Sequence, residues 1–308
     1  MKVAYAYQNP DPEILRQSSS GGFFTRIASA VLERGGVVFG ARFDEDWKVV
    51  VDYCEDMAGL AAFRGSKYVQ PRVGNAYRDC EAFLKDGRTV LFTGTPCMIA
   101  GLKSFLKREY ANLVTMDFIC HGTPKQKVWE AYLKGLRKKP EQVSFRDKSQ
   151  GWKNYLCNAG VKSVFWEHPY MQVFLSDVAL RDSCYSCRYK SWKSGSDVTA
   201  GDFWGIEHIC PEIDDDRGLC LVVPHSESVF ELVPELEQSR SFPLDELIRY
   251  NPSATSCATR PAISPLFLSM ISIEDTHSDS HVACALEKLC SGEESALCGV
   301  SSQVLENE

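Results

Sequence analysis

The sequence predicts an α/β (α+β) fold: a mixed, partly parallel sheet with flanking helices, followed by a smaller β-rich, cysteine-containing region. Three observations predict it. Short apolar runs alternate with stretches of helical period through the first half, the rhythm of layered βα units. Two units, VLFTGTPCMIAG and MDFICHGTPKQ, each carry an apolar strand into a Gly-Thr-Pro turn. From about residue 142 the pattern changes to short alternating segments and turns.

The elements follow in chain order. VAYAY (3–7) reads as a strand, and a Ser/Gly loop at 18–22 opens the amphipathic helix GFFTRIASAVLER, which stops at Gly35 and Gly36. VVFGARF and WKVVVDY read as strands joined by a DED turn, and VGNAYRDCEAFLKDG reads as a helix ending at Gly87. TVLFTGTPCMIAGLKSFLKRE reads as strand, tight loop and helix, and NLVTMDFICHGTPKQKVWEAYLKGLRKK repeats that order. VSFRDKSQGWKNYLCNAGVKSVFW suggests short strands with a hairpin, YMQVFLSDVAL a helix, and DVTAGDFWGI and GLCLVVPHS two more strands. The expected division is 1–141 as an α/β half, 142–272 as a β-rich half with a Cys-x-x-Cys pair, and 273–308 as a polar tail.

Composition narrows the function. The 308 residues are 44% hydrophobic and 24% charged, those of an ordinary globular protein with a sizeable core. A net charge of −7 argues against a nucleic-acid binder, which needs a basic field. The N-terminus lacks signal-peptide character and no apolar run is long enough to span a bilayer, so the expected location is the cytoplasm. Thiols stay reduced there, and thirteen cysteines at irregular spacing do not make a disulfide framework. Cys54, Cys80, Cys157 and Cys220 read as small buried apolar residues.

Four other cysteines read differently. Cys97 follows one Gly-Thr-Pro turn and Cys120 precedes the other, so two parallel strands would bring both to the C-terminal edge of the sheet. The segment RDSCYSCRYK adds Cys184 and Cys187, with Arg188 and Lys190 able to offset negative charge. Only one half is a Cys-x-x-Cys pair, which favours an iron–sulfur cluster over zinc. A zinc site, a dithiol redox pair and no site at all remain open on spacing alone. SSSGGFF suits a phosphate, although Ser20 as a plain helix cap is the better reading of these residues alone, and FRGSKY suits a nucleotide or flavin phosphate or a solvated turn. No dinucleotide or nucleoside-triphosphate loop fingerprint is present. HVACALEKLC (281–290) reads as a packed helix rather than a metal site, and EIDDDRG as a solvated acidic loop.

The motifs SSGGFFT, GGVVFGARFDED, FRGSKYVQ, VLFTGTPCMIAGLKSFL, DFICHGTPKQKVWEAYL, VSFRDKSQGWKNY, RDSCYSCRYK and DVTAGDFWGI, in this order, resemble the beta subunits of coenzyme F(420) (deazaflavin) hydrogenases and dehydrogenases. The resemblance covers roughly residues 15–265. It implies an oxidoreductase with FAD and a 4Fe–4S cluster, in which Cys97, Cys120, Cys184 and Cys187 are the cluster ligands. It further implies flavin contacts at Ser20, Gly21, Gly22, Arg64, Gly65, Ser66, Lys67, Tyr68, Gly94 and Thr95. His121 and Lys153 become candidates for the flavin face or substrate pocket, in a catalytic role. Many relatives carry a ferredoxin-like Cys-rich run before the Ser/Gly loop, and this chain has none. Further clusters are therefore expected on a redox partner protein, either a ferredoxin or a catalytic subunit. A small-molecule hydride carrier is expected as substrate. The alternative is a zinc-stabilised binding module without redox function.

Overall fold

The structure is a computed structural model and describes residues 3–272. Eleven strands are found among them: β1 (Val3–Tyr7), β2 (Val37–Phe43), β3 (Val49–Cys54), β4 (Val90–Thr93), β5 (Leu113–Phe118), β6 (Val143–Asp147), β7 (Leu156–Ala159), β8 (Lys162–Val164), β9 (Val198–Asp202), β10 (Cys220–Pro224) and β11 (Ser241–Pro243). Eight form one sheet in the order β11-β1-β10-β9-β5-β4-β2-β3, and β6-β7-β8 form a small antiparallel sheet. The centre, β2-β4-β5-β9, is parallel, and every other pairing in the large sheet is antiparallel. The partly parallel sheet with flanking helices is thus present.

The period-2 alternation of side chains sets the layers. Val38 and Leu91 face the helix Phe23–Glu33, whose Phe23, Ile27 and Val31 recur every four residues on its buried side. Val37, Phe39, Val90 and Phe92 face the opposite way, against the helices Ala76–Lys85 and Pro96–Leu106. Strands buried on both faces read as continuous apolar runs. The Phe39 and Phe92 rings stack with centroids 5.3 Å apart, each fully buried. Such a side chain contributes about 1.5–3 kcal/mol by leaving water.

A separate core joins the small sheet to the helices Gln126–Lys134 and Pro169–Leu175 through buried Trp129, Phe145, Tyr170 and Phe174. The expected boundary at residue 141 does not divide the sheets. After the small sheet the chain returns, and β9, β10 and β11 complete the large one. The apolar faces of β9 and β10 find their partners only there, in a core that includes Val198, Ala200 and Val222. The expected tail at 273–308 and the HVACALEKLC segment lie outside the described residues. Among the described residues no helix is long and apolar enough to cross a membrane.

Candidate functional site

The parallel strands β4 and β5 point their C-terminal ends the same way, as does β9 beside them. Beyond those ends lies a cavity of about 330 Å³. Cys97 reaches it from the first turn of the helix Pro96–Leu106, and Cys120 from the loop after β5. Cys184 and Cys187 reach it from the Cys-x-x-Cys segment, which opens with a short turn at Asp182–Cys184. All four line the one cavity, half-buried, whereas Cys54, Cys80, Cys157 and Cys220 are buried elsewhere in the fold.

Local bonding holds this constellation. Arg181 N–H donates to the Thr123 carbonyl at 2.9 Å, tying the Cys-x-x-Cys segment to the loop that carries Cys120. The Lys190 ammonium donates to the Ser253 carbonyl at 2.6 Å and to the Cys120 carbonyl at 2.5 Å. Ser191 N–H donates to the Ala254 carbonyl at 2.8 Å, so residues 253–254 strap the mouth. Cys257 lies beside this strap, its thiol 3.4 Å from the Cys187 carbonyl. Burial pushes the Cys120 thiol up to about 12, with the Gly122 N–H and the Lys190 ammonium opposing it. Cys184 is raised for the same reason, opposed by the Thr123 N–H and Arg181. Backbone N–H groups and cations thus already face the sulfurs where negative charge would sit.

Among the described residues no group of three or more His, Cys, Asp or Glu is close enough to hold one metal ion. A tetrahedral zinc about 2.3 Å from each ligand would draw its sulfurs to within about 4 Å of one another.

His121 and Lys153 separate. His121 lines the cysteine cavity, its Nδ1 is 3.1 Å from the Ser253 hydroxyl, and burial of the imidazole holds its pKa below the ordinary value. Lys153 does not line that cavity. Its ammonium pairs with Asp214 and lies 3.5 Å from Glu207, while its backbone N–H donates to Asp216. The acidic loop expected to be solvated is therefore a latch: Asp216 also accepts from Trp152 N–H at 3.1 Å.

The flavin candidates converge in part. Ser66 N–H donates to the Ser19 hydroxyl at 2.7 Å, joining the two motif loops. Arg64 reaches Thr25 and Gln17, on the same side as the start of the helix Phe23–Glu33. Ser20 does not cap that helix. Its hydroxyl donates to the Leu219 carbonyl at 2.7 Å, and no side chain caps the helix N-terminus. Lys148 lies on the other side of the loop, donating to the carbonyls of Ser20 and Arg217. Beyond it a second cavity of about 400 Å³ is lined by Leu15, Arg16, Lys148 and Arg217.

Two glycines there have backbone reasons to be glycine. A Cβ on Gly21 would lie 2.2 Å from the Tyr7 carbonyl oxygen, and Gly22 has φ +80°. Lys67 is also engaged: its ammonium caps the preceding short helix by donating to the carbonyls of Ala62, Phe63 and Arg64. Tyr68 stacks on Phe174 and accepts from Arg146, while Gly65 has open space on its Cβ side. Gly94 and Thr95 belong to the cysteine side, where the Thr95 hydroxyl lies 3.1 Å from the Cys97 sulfur.

Arg146 sits inside the VSFRDKSQGWKNY motif, where nothing in its spacing marks it. Its guanidinium is buried, pairs with Asp202 at the end of β9, and lies 4.0 Å over the Tyr155 ring, while its Nε has no partner among the described residues. Trp152 donates to the same Asp202 at 3.1 Å and stacks on Trp204.

Comparison with known proteins supplies the context. The sequence profile for the C-terminal part of the coenzyme F(420) hydrogenase/dehydrogenase beta subunits matches residues 87–249, just over half of the chain. A chain of the xenon-derivatised F(420)-reducing nickel–iron hydrogenase complex from Methanosarcina barkeri has a similar fold. The TM-score is 0.57 at 15% identity, over 82% of this chain and 87% of that one. None of the curated proteins matches.

Proposed function

Because the chain belongs to the coenzyme F(420) hydrogenase/dehydrogenase beta-subunit family, a family of redox subunits, we propose that it is an iron–sulfur flavoprotein oxidoreductase. In this reading it moves electrons between a hydride-carrying small molecule, such as a deazaflavin coenzyme, and a redox partner protein. The observation that carries the proposal is the convergence of Cys97, Cys120, Cys184 and Cys187 on one cavity. Four thiolates around a space suit a 4Fe–4S cluster, in which each iron takes one thiolate. The zinc-stabilised module would draw on the same four thiols, and the metal assay below separates the two readings.

FAD fits the loops beside it. The N-terminus of the helix Phe23–Glu33 carries no side-chain cap, and Arg64 supplies charge next to it. Helix N-termini of this kind receive phosphates. When bound, the flavin supplies two-electron hydride chemistry and the cluster supplies one-electron transfer.

The chain's own residues do the positioning. Gly122 and Thr123 direct N–H groups at the sulfurs, Lys190 and Arg181 stabilise thiolate charge, and the 253–254 strap covers the mouth. His121 stands on the rim, where it can hold a proton for a bound substrate. Anaerobic purification followed by iron, sulfide and flavin assays tests the proposal. About four iron and four sulfide per chain, with bound or bindable FAD, is the expected result. A colourless protein holding zinc and no affinity for FAD overturns it.

A further inference from the structure

We infer that the mouth of the cysteine cavity is the docking face for a small acidic protein that carries one electron. The inference rests on the iron–sulfur reading for its purpose, and on surface charge for its geometry. The chain carries a net −7, yet the charged groups around this mouth are mostly cations. Arg181, Arg188 and Lys190 line it, and exposed Lys193 follows the lining residue Trp192. The one carboxylate in the lining, Asp117, is 2% exposed and therefore faces no partner. At the edge, Asp182 is neutralised twice, by Lys125 at 2.9 Å and Arg260 at 2.5 Å. Half-buried Asp177 lies near Lys190.

These cations divide into two kinds. Lys190 and Arg181 turn inward, where they favour the thiolate forms of Cys120 and Cys184. Offsetting cluster charge accounts for that pair. Arg188 and Lys193 are exposed and enter no ion pair among the described residues. Phe118, at the same mouth, leaves 42% of its surface in water. An apolar ring among unpaired cations suits a small, transient electron-transfer contact, which buries little area and relies on charge for encounter. Complementarity then requires an acidic partner surface. Charge steering of this kind weakens as salt screens it.

The test uses an acidic 2Fe–2S ferredoxin as the probe and the full chain. Calorimetry measures binding, and stopped-flow absorbance measures electron transfer from reduced ferredoxin, at rising ionic strength. Affinity and rate should both fall with salt. The double variant Arg188→Glu/Lys193→Glu should lose about tenfold or more in each. Arg188→Lys/Lys193→Arg, which conserves charge, should behave as the wild type. Lys138→Glu, in the basic run after the helix Gln126–Lys134, should have no effect. Dithionite should reduce the double variant as fully as the wild type, with equal iron content, showing that docking rather than the cluster has failed. Because calorimetry also reads binding to iron-free protein, loss of the cluster reading would not by itself decide the docking result. Wild-type affinity in the double variant, or salt-independent binding, overturns the inference.

Discussion

The cysteine cavity and the Ser/Gly-loop region lie on the same fold but use their polar groups in opposite ways. Around the cavity the four thiols come from three separate segments and point at a shared space. In the loop region most candidate contacts are spent on the protein itself. Lys67 caps a helix, Ser20 holds Leu219, and Gly21 is fixed by the approach of the Tyr7 carbonyl. What remains for a ligand there is the uncapped helix start with Arg64. The lesson is that a motif residue carries chemistry only after its structural partners are subtracted.

The sharpest way to break that contrast is to remove single thiols. Cys97→Ser, Cys120→Ser, Cys184→Ser and Cys187→Ser should each lose most visible iron–sulfur absorbance. Cys54→Ala and Cys80→Ala, buried away from the cavity, should keep it. Equal loss at Cys54 would erase the distinction between the regions. Next in size is Arg146→Met, which removes the buried guanidinium and leaves half-buried Asp202 with Trp152 as its donor. Breaking such a partly buried pair costs about 3 kcal/mol, the low end for buried pairs, measurable by urea denaturation. A change below about 1 kcal/mol would mean that Arg146 is not structural.

Acid exposes a third, smaller effect. Burial holds the fully buried His168 down at about 4, below its ordinary 6.5. The unfolded chain therefore binds the proton first, so stability present above about 6.5 is lost as pH falls towards about 4. His168→Gln should flatten that loss, on the order of 3 kcal/mol between pH about 7 and 4. An unchanged pH profile would count against it. The smallest effect separates two neighbouring cations. Arg64→Ala should weaken FAD binding about tenfold, roughly 1.4 kcal/mol. Lys67→Met should lower thermal stability and leave FAD affinity near wild type. The reverse pattern in a fluorescence titration would assign the phosphate to Lys67.

The sheet was legible because its central strands are buried on both faces and announce themselves as apolar runs, as in VVFGARF and TVLF. The short β11 was not, since SFP has neither length nor alternation. Cys97 and Cys120 were legible because each adjoins a turn that ends a strand. The 253–254 strap and Cys257 were not, because only tertiary contact brings them to the mouth. The same holds for the latch between Asp216 and the Trp152–Lys153 turn, which spans 64 and 63 residues of chain. Local patterning likewise cannot show that β9, β10 and β11 rejoin the earlier sheet.

Cysteine protection tests the central claim most directly. Iron-replete protein is alkylated under anaerobic conditions, before and after iron chelation, and each cysteine is read by mass spectrometry. A bound thiolate is unavailable to an electrophile, and chelation frees it. Cys97, Cys120, Cys184 and Cys187 should resist modification until iron is removed, then react together, while half-buried Cys257 should react at the same rate in both states. If Cys184 and Cys187 alkylate equally fast with iron present, they are not ligands, and the four-thiolate reading is wrong.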